Sequence, residues 1–512
     1  MNLDDNTPVI IGVGQHSERV GEDGYGELSH MDLGGEALKA AFADARAKRK
    51  LGPALDTIAA IRQFEISATR YSAPFGHSNN TPRSYARRAG ANPARAILEV
   101  VGGQGPQRLV GELAAEIAAG RSKMAAVVGS EAISTMRTLL SRGETRDWSE
   151  KRRGTLEDRG PGYEGVVDMT AIRHGVGAPI GGYAIAENVR RERLGLSLEE
   201  YRGEIAKLFA PFTRVAAANP HSAAPTERSV VELATLTERN RLVAEPYGRL
   251  MVARDQVNQG AAIVLASVAE ARRLGVPEDR WVYIHGVADC AEPAMLSRAN
   301  LEQSPAAVAA ISTALELAGI GWENIAATDL YSCFAIPVFN LLDAFGLDRD
   351  DPRGWTLTGG LPFFGGAGNN YSGHGIAEAV QRCRAAPDSF ALVGANGGIM
   401  SKYAAGVYST KPANWAQDRW SSLAKIKPEF TVLDAHDGEA VAESFTIQQG
   451  KAGEVATLVA RVLRQAQDER GARVLANSAD PGICAELRGG KVAGRAVRIE
   501  EGEKGVNRFW FI

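Results

Sequence analysis

Gly102-Gly103-Gln104-Gly105-Pro106-Gln107 and Gly365-Gly366-Ala367-Gly368-Asn369-Asn370 are two glycine-rich stretches, one in each half of the chain, and each opens a helical pattern. Leu109, Val110, Leu113 and Ile117 follow the first, and Ile376, Ala379 and Val380 follow the second. This spacing gathers apolar side chains on one helix face. The match extends outward from both loops. A helical pattern at 32–46 leads to Ile58-Ala59-Ala60-Ile61, and one at 305–319 leads to Ile325-Ala326-Ala327-Thr328; apolar strands at 125–129 and 391–394 come after the loops. The opening run Pro8-Val9-Ile10-Ile11-Gly12-Val13-Gly14 has a counterpart in Trp281-Val282-Tyr283-Ile284-His285-Gly286. Continuous β-branched runs of this kind suit strands covered on both faces. The chain is therefore expected to contain a duplicated strand and helix unit, with a mostly parallel sheet in each half. Two such sheets sharing a helical layer make a five-layer αβαβα sandwich of the α/β class. A pseudo-twofold seam should bring two helix N-termini to one site.

Outside the repeat the rhythm changes twice. Residues 137–240 read as an inserted loop domain, rich in charge, with an amphipathic helix from Tyr201 to Phe209 and a turn at Asn219-Pro220-His221-Ser222. Its stretch 142–160 carries Arg142, Arg146, Lys151, Arg152, Arg153 and Arg159 among acidic residues, which fits either a solvated flap or a clamp over a phosphate-bearing ligand. From 414 to 512 short alternating runs such as Phe430-Thr431-Val432-Leu433 and Ala496-Val497-Arg498-Ile499, broken by glycines, predict a small additional β-barrel of OB-like type. Val455 to Leu463 reads as one of its strands. The remaining boundaries are 1–136 with 241–270 for the N-terminal half and 271–413 for the C-terminal half.

A chain of 512 residues exceeds one hydrophobic core, and a formal net charge of −3 gives no reason to expect nucleic acid. No apolar run is long enough for a membrane helix and the N-terminus has no leader pattern, so the expected location is the cytoplasm. The four cysteines, Cys290, Cys333, Cys383 and Cys484, lack the spacing of a metal site or a disulfide framework.

A duplicated core with an inserted loop domain and two glycine loops at helix starts resembles the thiolase superfamily. Within it, the chain is most similar to the type 1 thiolase-like proteins, a group usually labelled acetyl-CoA acetyltransferase, with an extra C-terminal β-domain. Pro8 to Gln15, Val101 to Gln107, Gly129-Ser130-Glu131-Ala132, Gly359-Gly360-Leu361-Pro362, Gly365 to Tyr371, and Ser401-Lys402 to Gly406-Val407-Tyr408 carry the resemblance. It implies coenzyme A or an acyl-CoA as ligand, with no metal and no covalently bound cofactor, and a homodimer or a partner protein as possible assemblies.

The resemblance also calls for a cysteine nucleophile, an activating histidine and a second cysteine, and this chain has Gly102, Gly366 and Ala395 there. The family's asparagine-glutamate-alanine-phenylalanine loop is replaced by Tyr331-Ser332-Cys333-Phe334, nearer to the sterol-carrier-type thiolases. A thiolate is both a good nucleophile and a good leaving group, so without these groups ping-pong acyl transfer has no evident route. His374, Tyr331, Tyr371 and Cys333 are the candidate catalytic groups. Gln104, Gly105, Asn369, Asn370, Arg152 and Arg153 are the candidate ligand contacts. Each has a plainer role: His374 and Cys333 as packed core residues, Asn369 and Asn370 as helix caps. Glu131 follows a core strand and either bridges locally or is a buried acid. The readings that follow are acyl-CoA binding with non-covalent lyase or hydrolase chemistry, acyl transfer by an unconventional site, and a non-catalytic partner subunit.

Overall fold

Each half of the core begins with a strand whose glycine lets a helix lie directly on it. In β1 (Pro8–Ser17), a Cβ on Gly12 would overlap the Ala41 carbonyl of α1 (His30–Asp44). In β7 (Val282–Ala291), a Cβ on Gly286 would overlap the Ala314 carbonyl of α6 (Pro305–Ala318). The same close approach thus recurs in both halves, as the duplication requires. The computed structural model describes residues 3–67, 73–166, 168–415, 419–450, 453–462 and 471–512.

The N-terminal half continues through β2 (Thr57–Ala60), α2 (Thr81–Arg88), β3 (Arg95–Leu98), α3 (Gly105–Ala118) and β4 (Met124–Ala132). A two-residue strand β5 (Glu157–Asp158) and helices α4 (Pro179–Arg193) and α5 (Leu198–Ala218) belong to the insertion, and β6 (Asn258–Ser267) returns to the sheet. The C-terminal half adds β8 (Ile325–Leu330), α7 (Ile336–Phe345), α8 (Tyr371–Ala385), β9 (Phe390–Gly397) and β10 (Lys402–Ser409). Strand order is β2-β4-β6-β1 in one half and β8-β9-β10-β7 in the other, the same order of chain positions twice. The halves meet where Val9 and Ile10 of β1 pair with Tyr283 and Val282 of β7.

The expectation of mostly parallel sheets is corrected. β2 with β4 and β8 with β9 are parallel, but β6 runs antiparallel to β4 and β1, and β10 runs antiparallel to β9 and β7. The cause is connection length. Only residues 398–401 join β9 to β10, too few for a crossover, so the chain must turn back on itself. In the N-terminal half the insertion occupies the equivalent connection.

Five layers result. α3 and α8 lie between the two sheets: Leu109, Val110, Leu113, Ile376 and Val380 pack in one cluster with Ile10 and Val127 of the first sheet and Ala391 and Val393 of the second. α1 covers the outer face of one sheet and α6 that of the other. Burying both faces explains the uninterrupted apolar runs.

The C-terminal region forms a closed five-strand barrel. Around it the order is β11 (Gly438–Gly450), β12 (Gly453–Val462), β13 (Gly471–Ser478), β15 (Arg508–Phe511) and β14 (Ala496–Glu500), which pairs back to β11, with α9 (Pro481–Gly489) between β13 and β14. This is the strand order of an OB-like barrel. The expected strand at Val455 to Leu463 is β12, and Leu463 lies outside the described residues. The barrel is bound to the insertion and to the C-terminal half by buried polar groups. Asn188 Nδ2 of α4 donates to the Phe445 carbonyl at 3.0 Å, and Arg473 donates to the carbonyls of Leu296 at 3.0 Å and Ala299 at 3.1 Å. Among the described residues no helix is long and apolar enough to cross a membrane.

Candidate functional site

The first glycine loop turns through Gly102, whose φ of +137° is one that side chains rarely adopt. Gly105 donates its N–H to the Gly102 carbonyl at 3.1 Å, and α3 begins. Gln104 stands at that helix start, buried, and its amide fills the space that other side chains would need. A Cβ on Gly102 or on Gly397 would overlap Gln104 Oε1. That oxygen accepts no hydrogen bond among the described residues.

The second loop is fastened onto the first. Asn369 Oδ1 accepts the Gly102 N–H at 3.0 Å, and Asn369 Nδ2 donates to the Arg62 carbonyl at 2.7 Å. Ser372 Oγ donates to the Gly103 carbonyl at 2.7 Å, and Asn370 Nδ2 donates to the Gly129 carbonyl at 2.7 Å. Neither side chain makes a capping hydrogen bond to α8, contrary to the plainer expectation: both join the two halves across the pseudo-twofold seam. Gly368 lies against Glu131, whose Oε1 accepts the Phe64 N–H at 2.8 Å. Burial holds the Glu131 carboxyl well above the usual carboxylate range, against the smaller opposing effect of that hydrogen bond. Nearby Glu65 is pushed up to about 7 by burial.

Tyr331 closes the other side. Its hydroxyl lies so close to Gly103 that a Cβ there would overlap it, and its ring meets the Tyr371 ring edge to face at 5.2 Å. The Tyr331 hydroxyl makes no hydrogen bond among the described residues. Tyr371 Oη lies 2.6 Å from Thr358 Oγ1, which in turn donates to Asp329 Oδ2 at 3.0 Å, so a polar chain runs from the site into the sheet. Burial pushes both phenols up.

Cys333 and His374 stand apart from the loop contact. Cys333 Sγ accepts from Asn396 Nδ2 at 3.9 Å, and burial pushes its thiol up to about 12, far from the thiolate a nucleophile needs. His374 Nδ1 contacts Gln15 Oε1 at 2.6 Å. Gln15 Nε2 donates to Glu378 Oε1 at 2.8 Å, which leaves Gln15 Oε1 as an acceptor and places the histidine proton on Nδ1. Burial first, and then the charge of His221, push the His374 pKa down to about 3, so the ring is neutral at ordinary pH.

Arg152 pairs with Glu150 at 2.7 Å on the side of α2, and Arg153 is exposed, with no ion pair among the described residues. Among the described residues no contact joins either to the glycine loops. The structure therefore brings together Gln104, Gly105, Asn369, Asn370, Tyr331 and Tyr371, and sets the two arginines elsewhere.

One residue of the site escapes sequence reasoning. Tyr183 of α4 donates its hydroxyl to the Gly398 carbonyl at 2.9 Å and accepts from Asn396 Nδ2 at 2.8 Å, tying the insertion to the β9–β10 turn. Its only signal is a tyrosine following Gly181-Gly182, a pair that brings a helix close to its neighbours.

No family model matches the chain, and no curated protein matches it. Among solved structures, it is similar to a monomeric SCP2-thiolase-like protein type 1 from Mycobacterium smegmatis, with 43% identity, a TM-score of 0.83 and full coverage of both chains. Two more distant likenesses show the fold alone. An Ltp2–ChsH2(DUF35) aldolase gives 18% identity and a TM-score of 0.58, covering 79% of this chain and 98% of that one. The dimeric peroxisomal thiolase of Saccharomyces cerevisiae gives 13% and 0.55, covering 80% and 98%. On the full-length similarity, this chain belongs to the SCP2-thiolase-like proteins of type 1.

Proposed function

We propose that this protein binds a CoA thioester at the joined glycine loops and forms no acyl-enzyme. The observation that carries this reading is Gln104. At the α3 N-terminus, where a nucleophile on residue 102 would project, the chain presents a neutral carboxamide with an unpaired oxygen. A carboxamide can hydrogen bond to a thioester or to an amide of its carrier, but it cannot be acylated and released as a thiolate can. Cys333 supplies no substitute, since burial keeps it a thiol. Calorimetric titration with CoA and a panel of acyl-CoAs, beside intact-mass analysis, tests the reading. Binding with no mass increase is expected; a stable acyl adduct sinks it.

Proton transfer on the bound thioester, as in a lyase or hydrolase, is a second reading. The free Tyr331 hydroxyl at the first loop and the Tyr371–Thr358–Asp329 chain behind it favour this. Loss of turnover in Tyr331→Phe with binding retained would support it. For assembly, we read the chain as a monomer. β5 pairs with the outer edge of β3 and so covers it from within the same chain, and the similar Mycobacterium smegmatis protein is itself described as monomeric. A second copy or a partner chain in gel filtration would overturn this. Cytoplasmic location belongs to the same proposal.

A further inference from the structure

His174 closes the short helix Met169–Arg173 of the insertion and is buried where the insertion meets the barrel. Its Nδ1 lies 2.9 Å from the Thr170 carbonyl, which can only accept, so the proton of the neutral ring sits on Nδ1. Nε2 is then a lone pair, and it accepts the backbone N–H of Asn507 at 3.2 Å. The His174 carbonyl accepts from two barrel strands, from Thr457 Oγ1 of β12 at 3.3 Å and from Asn477 Nδ2 of β13 at 3.0 Å. Asn507 is fully buried, and its Nδ2 donates to the carbonyls of Leu475 at 2.8 Å and Asp434 at 3.1 Å. Those bonds fix the orientation of its amide, so that a second donor, Nδ2, faces His174 Nε2 at 3.5 Å.

A proton added to this ring goes to Nε2 and turns an acceptor into a donor that faces two donors. No hydrogen bond joins Nε2 to an acceptor among the described residues. A buried cation without an acceptor is far costlier than an exposed one. Burial first holds the imidazole below its ordinary value of 6.5, against the opposing effect of the Thr170 carbonyl. Arg173 also opposes protonation, while Asp168 at the start of the helix and Asp434 from the barrel side favour it. The barrel strands reach His174 with the neutral Thr457 and Asn477, and Glu503 and Lys504, of opposite sign, lie on the exposed turn before Asn507.

Beside this seam, Val176 and Ile185 of the insertion, Met295, Leu296 and Ile399 of the C-terminal half and Leu475 of the barrel line an apolar cleft. Its free space is about 30 Å³, room for little more than a water molecule. Leu475 belongs to both features, because Asn507 holds its carbonyl. We propose that His174 is an acid-sensitive latch: neutral, it holds the barrel on the insertion and keeps this cleft shut; protonated, it releases Asn507 and the cleft opens. The folded ring takes up its proton less readily than an exposed one, so the latch is complete above pH 6.5 and is lost as pH falls. The inference stands apart from the reading of the glycine loops.

The test is hydrogen exchange of the full chain, read by mass spectrometry between about pH 7.5 and pH 5 and corrected for the intrinsic pH dependence of exchange. Peptides over 169–176 and 503–509 report the latch, and peptides over α3 report the core. In the native protein the opening of the latch should grow by up to about tenfold per pH unit below 6.5, the slope of a single proton, while α3 stays protected. Fluorescence of an added apolar dye, anilinonaphthalene sulfonate, should rise over the same range as the cleft opens. His174→Gln offers an oxygen to the Asn507 N–H and takes up no proton, so its latch protection should be the same at every pH. Protection that is flat with pH in the native protein, or a fall of equal size in His174→Gln, overturns the proposal. A slope well above one proton with α3 opening in step is general acid unfolding and overturns it too, and latch opening without dye uptake overturns the role given to the cleft. If His174→Gln does not fold, the one-proton slope and its confinement to the latch in the native chain decide the matter.

Discussion

The Asn369 side chain accepts the Gly102 N–H at 3.0 Å, and through this contact the second glycine loop holds the first at the position a nucleophile would occupy. An amide of the second half of the duplicated core thus fixes the backbone of the first. A donor aimed at a neighbouring side chain is not free to stabilise a developing oxyanion, which reinforces the view that this site binds rather than acylates.

Asn369→Leu should destabilise the protein by about 1–3 kcal/mol, because the buried Gly102 N–H and Arg62 carbonyl both lose their partner. Asn369→Asp keeps the first contact but sets a buried carboxylate oxygen against the Arg62 carbonyl, so its cost at neutral pH should be larger. Denaturant unfolding of the two variants checks the order; equal stability of native and Leu variants would show that the seam does not depend on this residue.

Gly102→Cys should not restore acyl transfer. The new side chain meets Gln104 Oε1, and the φ of +137° adds strain of about 1–3 kcal/mol. Lowered thermal stability and no mass increase with acetyl-CoA are expected. Pairing it with Gln104→Ala removes the collision and should recover part of the stability, still without thiolytic activity, because the activating groups act as a unit.

Two buried groups should give opposite pH signatures. His374 has a folded-state pKa of about 3 against an ordinary value of 6.5, so the unfolded chain binds more protons between these limits. Its contribution is full above pH 6.5 and falls as pH drops, by roughly 1 kcal/mol per pH unit. Glu187 is pushed up by burial to about 7, against the lowering effect of hydrogen bonds from Tyr201 and Tyr247, so the folded chain binds more protons between 4.5 and 7. Its contribution is full below 4.5 and is lost as pH rises through 7. The stability difference between native protein and His374→Gln should therefore move against the native protein as pH falls. That between native protein and Glu187→Gln should move against it as pH rises. Parallel profiles for either pair would contradict the assignment.

A chain ended at Pro412 should be insoluble. Sequence composition suggests that residues 414–512 form a module whose removal leaves a folded core, but the contacts of that module are buried and polar. Without it, the Asn188 amide loses the Phe445 carbonyl, the Glu245 N–H loses the Ile447 carbonyl at 2.9 Å, and Glu192 loses the N–H groups of Val492 at 3.0 Å and Ala493 at 2.8 Å. A soluble, monodisperse product with a cooperative melt would show that the barrel is an independent unit after all.

The sequence by itself determined the layered architecture. Apolar runs such as Pro8 to Gly14 and Trp281 to Gly286, and the glycine loops opening α3 and α8, are local patterns that depend only on neighbours along the chain, and they recur in both halves. The loss of the nucleophile was legible in the same way, since Gly102 can carry no thiol. Strand direction was not, because it depends on how many residues connect one strand to the next, and the insertion disguises that number in the N-terminal half. Only the tertiary structure decided which polar residues meet. Gln104, Asn369, Tyr183 and Tyr331 come from four separate parts of the chain, and nothing in their local sequence marks them as neighbours. What brings them together is the packing of α3 and α8 between the two sheets and of α4 against the β9–β10 turn, contacts between segments far apart in the chain that no local pattern records.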